Sequence, residues 1–173
     1  MVKKIGQAEF DVALRSKLNA DDWGIQNPSY WCSEAERSLL MDYHARHEVG
    51  DGRSVLVDLS GELPFKSWRR NGRYIYWRIA HDCGFKTGRG EVDEATLALH
   101  LRVRRIKVVI LSGLESVPRR YGKNVAMYLL ALFRNLLANS GVHLVMVCSQ
   151  EVLLGLFEDD RFLDSVRRVV PSE

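Results

Sequence analysis

Three short stretches of this 173-residue chain carry residue types whose placement bears on chemistry. Ser112-Gly113 and Cys148-Ser149 each follow a strongly apolar run, Val108-Val109-Ile110-Leu111 and Val142-His143-Leu144-Val145-Met146-Val147. Such β-branched-rich runs read as strands covered on both faces of a parallel sheet. Ligands of these sheets gather at the carboxyl ends of the strands. The third stretch, Ser33-Glu34-Ala35, opens a helix, with Glu36 three residues after Ser33 in a capping-box arrangement.

Phosphoryl transfer at these ends would need an Asp to hold Mg²⁺ and a group to orient the attacking water. It would also need a G-x-x-x-x-G-K-[ST] loop whose N–H groups cradle the phosphates. Ser112 and Gly113 offer no carboxylate, and residues 26–36 contain no Gly and no Lys. Glu34 adds negative charge where a phosphate would sit. Glu115 lies two residues beyond Gly113, out of register to replace the missing acid. His44 and His47 stand three apart without a third ligand at a metal-site spacing, and no Ser/His/Asp arrangement is defined by spacing. Neither a metal nor a cofactor is expected, and no residue is assigned a catalytic role.

The elements that must position these ends alternate along the chain. Residues 8–18 read as an amphipathic helix within an N-terminal helical extension, 1–22. Residues 23–26 read as a weak strand, 27–29 as a turn, and a helix runs from Ser33 to about 47. A strand covers 54–59. A helix spans 64–83, with Pro64 at its start and Cys83-Gly84 at its end. Residues 85–91 form a glycine-rich basic turn, 92–103 a helix, and 106–111 the central strand. The helix over 125–139 stops at Asn139-Ser140-Gly141, the strand over 142–147 follows, and 150–158 is a short helix. Residues 161–170 give a last helix or strand. Strand, crossover helix and strand close right-handed, so the whole reads as one three-layer α/β domain, 1–173, with a mainly parallel sheet.

Composition bounds the partners. The net charge of +3 is too small to demand an anionic partner by itself. Three widely spaced cysteines, Cys32, Cys83 and Cys148, form no metal or disulfide framework and suit a reducing compartment. No apolar run approaches membrane-spanning length and no h-region follows Met1, so a cytoplasmic location without membrane association is expected.

Basic residues are unevenly placed. Lys66, Arg69, Arg70, Arg73 and Arg78 interleave with Phe65, Trp68, Tyr74, Tyr76 and Trp77. Arginines on phosphates and rings on bases would suit nucleic acid, while the same residue types anchor protein interfaces. An ordinary solvated helix face is the third reading. Arg119-Arg120-Tyr121-Gly122-Lys123 reads as a basic loop at the carboxyl edge of the sheet. Arg69, Arg70, Arg73, Trp77, Arg119, Arg120 and Lys123 are therefore the candidate contacts for DNA or a protein partner.

From Ser54 to Pro171 the layout resembles the TniB family, AAA+ ATPases that select targets in DNA transposition. The residues that carry the likeness are 106–117 in the Walker B position and Tyr128-Leu129-Leu130-Ala131-Leu132-Phe133-Arg134-Asn135-Leu136 as the helix after it. They continue with 142–149 as the sensor-1 strand, where Cys148-Ser149-Gln150-Glu151 stands for the family's Gly-Thr-x-Glu turn. The resemblance implies a P-loop NTPase-like AAA+ or RecA-like core in which Ser33, Glu34 and Ala35 occupy a degenerate Walker A region. Ser112 and Gly113 occupy a degenerate Walker B, and Cys148 and Ser149 the sensor-1 position. The family's late arginine falls near Val166 or Arg167, and the chain ends where a helical lid would begin. A pseudo-ATPase without a lid is the expectation: a non-catalytic adaptor in a transposition or mobile-element system. It would bind a protein partner, either an active AAA+ ATPase or another copy of itself, with DNA as a further ligand. Two alternatives stay open, a nucleotide-binding enzyme with a diverged site and an inhibitor of a phage or host system that reuses the fold.

Overall fold

The described strands are β1 (Ser29–Cys32), β2 (Ser54–Asp58), β3 (Val108–Ser112), β4 (His143–Val147) and β5 (Val166–Arg168). They form one sheet in the order β2-β3-β4-β1-β5, every pair parallel. The computed structural model describes residues 5–19, 29–47, 54–64, 66–85, 92–157 and 166–170. The helices are α1 (Gln7–Asn19), α2 (Arg37–His47), α3 (Trp68–Asp82), α4 (Glu94–Val103), α5 (Ser116–Tyr121), α6 (Lys123–Ser140) and α7 (Gln150–Phe157). A 3₁₀ turn, Glu34–Glu36, leads into α2. Among the described residues no helix is long and apolar enough to cross a membrane.

The layers follow from the two-residue period of the strands. Val109 and Leu111 of β3, with Leu144 and Met146 of β4, face one core, closed by Ile75 and Ile79 of α3, Leu97 and Leu101 of α4, and Leu129, Phe133 and Leu136 of α6. Val108, Ile110, Val145 and Val147 face the other core, closed by Phe10 and Leu14 of α1 and Leu40 and Tyr43 of α2. Burial on both sides explains why β3 and β4 are apolar at nearly every position. Fully burying each Leu, Ile or Phe contributes about 1.5–3 kcal/mol before conformational entropy is subtracted.

The expected strands over 54–59, 106–111 and 142–147 are parallel neighbours, and β3 is flanked on both sides. The middle strand of the five is β4, not β3. Three other expectations move, and one open choice is resolved. The first described strand is β1, inside the stretch expected to be turn and loop; the expected strand at 23–26 lies outside the described residues. The helix expected from Pro64 begins at Trp68, behind Ser67 in extended conformation. Residues 119–121 are the end of a short helix rather than a loop, and Lys123 starts α6. The last described element is a strand over 166–168, one of the two forms expected there, while 161–165 and the glycine-rich turn at 86–91 lie outside the described residues.

Gly72 within α3, a weak point for a helix by propensity, has a packing reason. A Cβ there would stand 2.4 Å from Cδ1 of Leu132, so the glycine lets α3 lie close against α6. Tyr76 Oη fixes the same contact by donating to the Leu132 carbonyl at 2.6 Å.

Candidate functional site

At the end of β1 the chain turns at once into helix. Ser33 is extended (φ −74°, ψ 162°), and the Glu36 N–H donates to its carbonyl at 2.9 Å. The Glu36 carboxylate folds back over the turn. Its Oε2 accepts from Ser33 N–H at 2.8 Å and from Ser33 Oγ at 3.0 Å. This supplies the reciprocal half of the capping box read from the sequence. Glu36 is buried, and its Oε1 lies 3.5 Å from Arg168 Nη2 at the end of β5. The Arg168 guanidinium in turn sits 5.2 Å from the Trp31 ring centroid, a cation–π contact.

Ser33, Glu34 and Ala35 stand just beyond the carboxyl end of β1. The acid turned inward is Glu36 rather than Glu34, which is exposed and lies 3.9 Å from Arg37. Val166 and Arg167, where the resemblance puts a late arginine, lie on β5 with Arg168. The turn has no glycine to bring backbone N–H groups around an anion, and the Ser33 donors are taken by the chain's own carboxylate.

The neighbouring strand ends are equally filled. Asp58 lies in register with Ser112, and Ser60 N–H donates to Asp58 Oδ1 at 2.9 Å. Burial works to raise the Asp58 carboxyl, but hydrogen bonds from Ser60 and Ser112 and the charge of Arg37 outweigh it and hold the group below the usual carboxylate range. An acid therefore does reach the end of β3, contributed by the adjacent strand. Gly113 has φ +70°, and a Cβ on it would fall 2.4 Å from Ser60 N and 2.8 Å from Asp58 Oδ1. A carboxylate-bearing residue at 113 is thus excluded by the backbone of the β2–α3 connection. Glu115, set aside from register alone, turns across to β4, where its Oε1 accepts from Ser149 N–H at 2.8 Å. Ser149 Oγ caps α7 by accepting from Val152 N–H at 3.2 Å.

Cys32 and Cys148 are buried here, and Cys148 N–H donates to the Cys32 carbonyl at 3.2 Å. Burial, then the charges of Glu115 and Glu34, push the Cys148 thiol up to about 12; burial and Glu36 raise Cys32 as well. Both stay protonated at neutral pH, so neither is poised as a nucleophile. Asp58 is missed from the sequence because strand register brings it in, which no local spacing reports, and the bond from Ser149 to Glu115 is hidden for the same reason. His44 Nδ1 lies 2.6 Å from Ser54 Oγ, and the side chain of His47 lies outside the described residues. Among the described residues no group of three or more His, Cys, Asp or Glu is placed to hold a metal ion.

The basic candidates fall into two groups. Arg69, Arg70 and Arg73 are exposed on α3, with Trp77 half-buried beside them. Arg119 and Arg120 are exposed on α5, and exposed Lys123 begins α6 across Gly122. Two hydrogen bonds tie α5 to the chain leading into α3: Leu63 N–H donates to Tyr121 Oη at 3.2 Å, and Ser116 Oγ donates to the Leu59 carbonyl at 3.1 Å. Comparison with family models, curated proteins and solved structures finds no match for this chain.

Proposed function

We propose that this chain is a non-hydrolysing adaptor with an AAA+-like core that works through its surfaces in a transposition or mobile-element system of the cytoplasm. The observation that carries this reading is the Glu36 carboxylate on the Ser33 turn, where a nucleotide's phosphates would have to lie. Two unit charges about 4 Å apart repel by about 4 kcal/mol at a near-surface effective dielectric. That corresponds to a nearly thousandfold loss of affinity for an anion, of which Arg168 offsets a part. The closed approach at Gly113 supports the same reading, since residue 113 itself cannot carry a base to orient water, and the neighbouring Asp58 carboxylate is held by Ser60. The parallel sheet, with the end of β1 between those of β4 and β5, is compatible with a P-loop-like three-layer arrangement. The partner is a protein, an active AAA+ ATPase or a second copy of the chain.

The test is calorimetric binding of Mg²⁺-ATP and ATP turnover by the purified chain, alone and with any active AAA+ partner. The expected result is no turnover by the chain itself and no binding at micromolar nucleotide. Turnover that is lost on Ser33→Ala or Ser112→Ala would overturn the proposal.

A further inference from the structure

Positive charge is concentrated on α3 and the residues just before it. Residues 66–82 contain five basic residues (Lys66, Arg69, Arg70, Arg73, Arg78) and one acid, Asp82, against a chain total of 25 basic and 22 acidic. The remainder is slightly acidic. Between 66 and 81 there is no Asp or Glu at all. A solvated helix face ordinarily interleaves opposite charges at i,i+3 and i,i+4, where like charges repel. Here Lys66, Arg69, Arg70 and Arg73 have other cations of the set at those spacings.

The same helix presents a ladder of rings. Asn71, Gly72, Ile75, Tyr76, Ile79 and Ala80 are buried against the body of the protein. Arg70, Tyr74, Trp77 and His81 recur at i, i+4, i+7 and i+11, which at 3.6 residues per turn is a single stripe on the opposite side. Tyr74 stacks on Trp77, with centroids 5.7 Å apart and planes 28° apart. Trp77 continues to His81 at 5.3 Å and 36°. Arg73 flanks the stripe on one side and Arg78 on the other, both exposed.

We propose that this face of α3 binds single-stranded nucleic acid, unpaired bases stacking along Tyr74–Trp77–His81 while Arg69, Arg70, Arg73 and Arg78 contact the phosphates. Aromatic rings combined with a basic track are how single strands are held without sequence preference. Duplex bases keep their π-faces inside the stack, so a ring ladder on a helix surface has nothing to meet there. A protein partner would use the rings but would not call for a cationic excess concentrated on one helix. The inference goes beyond the adaptor reading and does not depend on it, because α3's outward face and the Ser33 turn are different parts of the surface.

The experiment is fluorescence anisotropy of the full chain with labelled oligomers of about 15 nucleotides: oligo-dT, oligo-rU and a duplex, each at about 50 and about 200 mM salt. A single strand is expected to bind at least tenfold more tightly than the duplex. With about three phosphates neutralised, the rise in salt should weaken it about 20-fold. Tyr74→Ala with His81→Ala should weaken single-strand binding about tenfold at an unchanged salt slope. Arg69→Gln with Arg78→Gln should flatten the slope and keep the preference for single strands. Trp77 is left intact because it also packs on the core, and matching thermal melts confirm that the variants fold. Tighter binding of dT or of rU identifies the strand as DNA or RNA, and either supports the proposal. Equal duplex binding with neutral ring variants would overturn it, as would no binding at low salt, which would leave α3 as a protein-docking face.

Discussion

Glu36→Ala removes from the Ser33 turn the acceptor of one N–H and one hydroxyl, and takes from Arg168 its carboxylate partner. Loss of a helix-start acceptor costs about 1 kcal/mol. Breaking a fully buried charge pair from one side costs about 3–5 kcal/mol. The Arg168 side chain is 29% exposed, the pair is at 3.5 Å, and the Trp31 contact survives, so the lower end of that range applies. The expected total is about 4 kcal/mol, the sum of the cap loss and the lower end of the pair range. Glu36→Gln keeps an acceptor for Ser33 and loses only the charge, so it should cost about half as much, comparable to one charge-assisted hydrogen bond. Equilibrium urea unfolding followed by tryptophan fluorescence measures both, read as a shift in midpoint at constant slope. A double-mutant cycle with Arg168→Met should return a coupling of about 1–2 kcal/mol. A Glu36→Ala cost below about 0.5 kcal/mol, typical of a surface substitution, or an additive cycle, would refute the buried-carboxylate account of the turn.

Two further perturbations separate geometry from charge. Gly113→Ala adds a Cβ against the Ser60 backbone on top of the left-handed φ penalty and should cost about 3 kcal/mol or more; Gly141→Ala, with φ +72° but open space, should cost only about 1 kcal/mol, and equal melts for the two would contradict the close approach. His100 Nε2 is buried without a hydrogen-bond partner beside the Phe85 ring at 4.6 Å. Burial holds its pKa below 6.5, reinforced by Arg104 and opposed by the Cys83 carbonyl. The unfolded chain therefore takes up the proton first as pH falls through about 6.5, so His100's contribution is complete above that value and is lost toward the lower folded pKa. Melts at pH 7.5 and 5.5 should show a smaller acid loss for His100→Gln than for the parent, and identical losses would remove His100 from the pH dependence.

What the sequence made legible was whatever short-range pattern determines. Val108–Ser112 is buried at every position, so apolarity alone marks it as an interior strand. Ser33 and Glu36 are three apart, so their hydrogen bond could be read directly. The partner that completes it, Arg168, is separated by 132 positions and reaches Glu36 only because β5 lies beside β1. Asp58 meets Ser112 for the same kind of reason, through the β2–β3 register. β1 was misplaced because four residues, Ser-Tyr-Trp-Cys, are too few to show a period; the two aromatics after Pro28 were the available signal. At α3, Pro64 was taken as a helix start, while Ser67 just before Trp68 held the boundary. At α5, the stretch 119–123 reads as a loop, yet residues 119–121 continue a short helix that has Pro118 in its first turn, where no N–H is needed.

The order of strands in the sheet also constrains the order of events in folding. β2, β3 and β4 follow one another in sequence and in space, so their pairings can form as the chain lengthens. β1 cannot join them early: Tyr30 pairs with Val145 on one side and with Arg167 on the other. Its hydrogen-bonding edges and the Tyr30 and Cys32 side chains stay without their native partners until the final strands exist. Closing so long a loop is entropically slow, and waiting strands of this kind are where newly made chains aggregate. A strand of only four residues, bracketed by Pro28 and a polar helix start, keeps that waiting edge short. The last strand then acts as the clasp that turns an open α/β sheet into one with its first strand held inside.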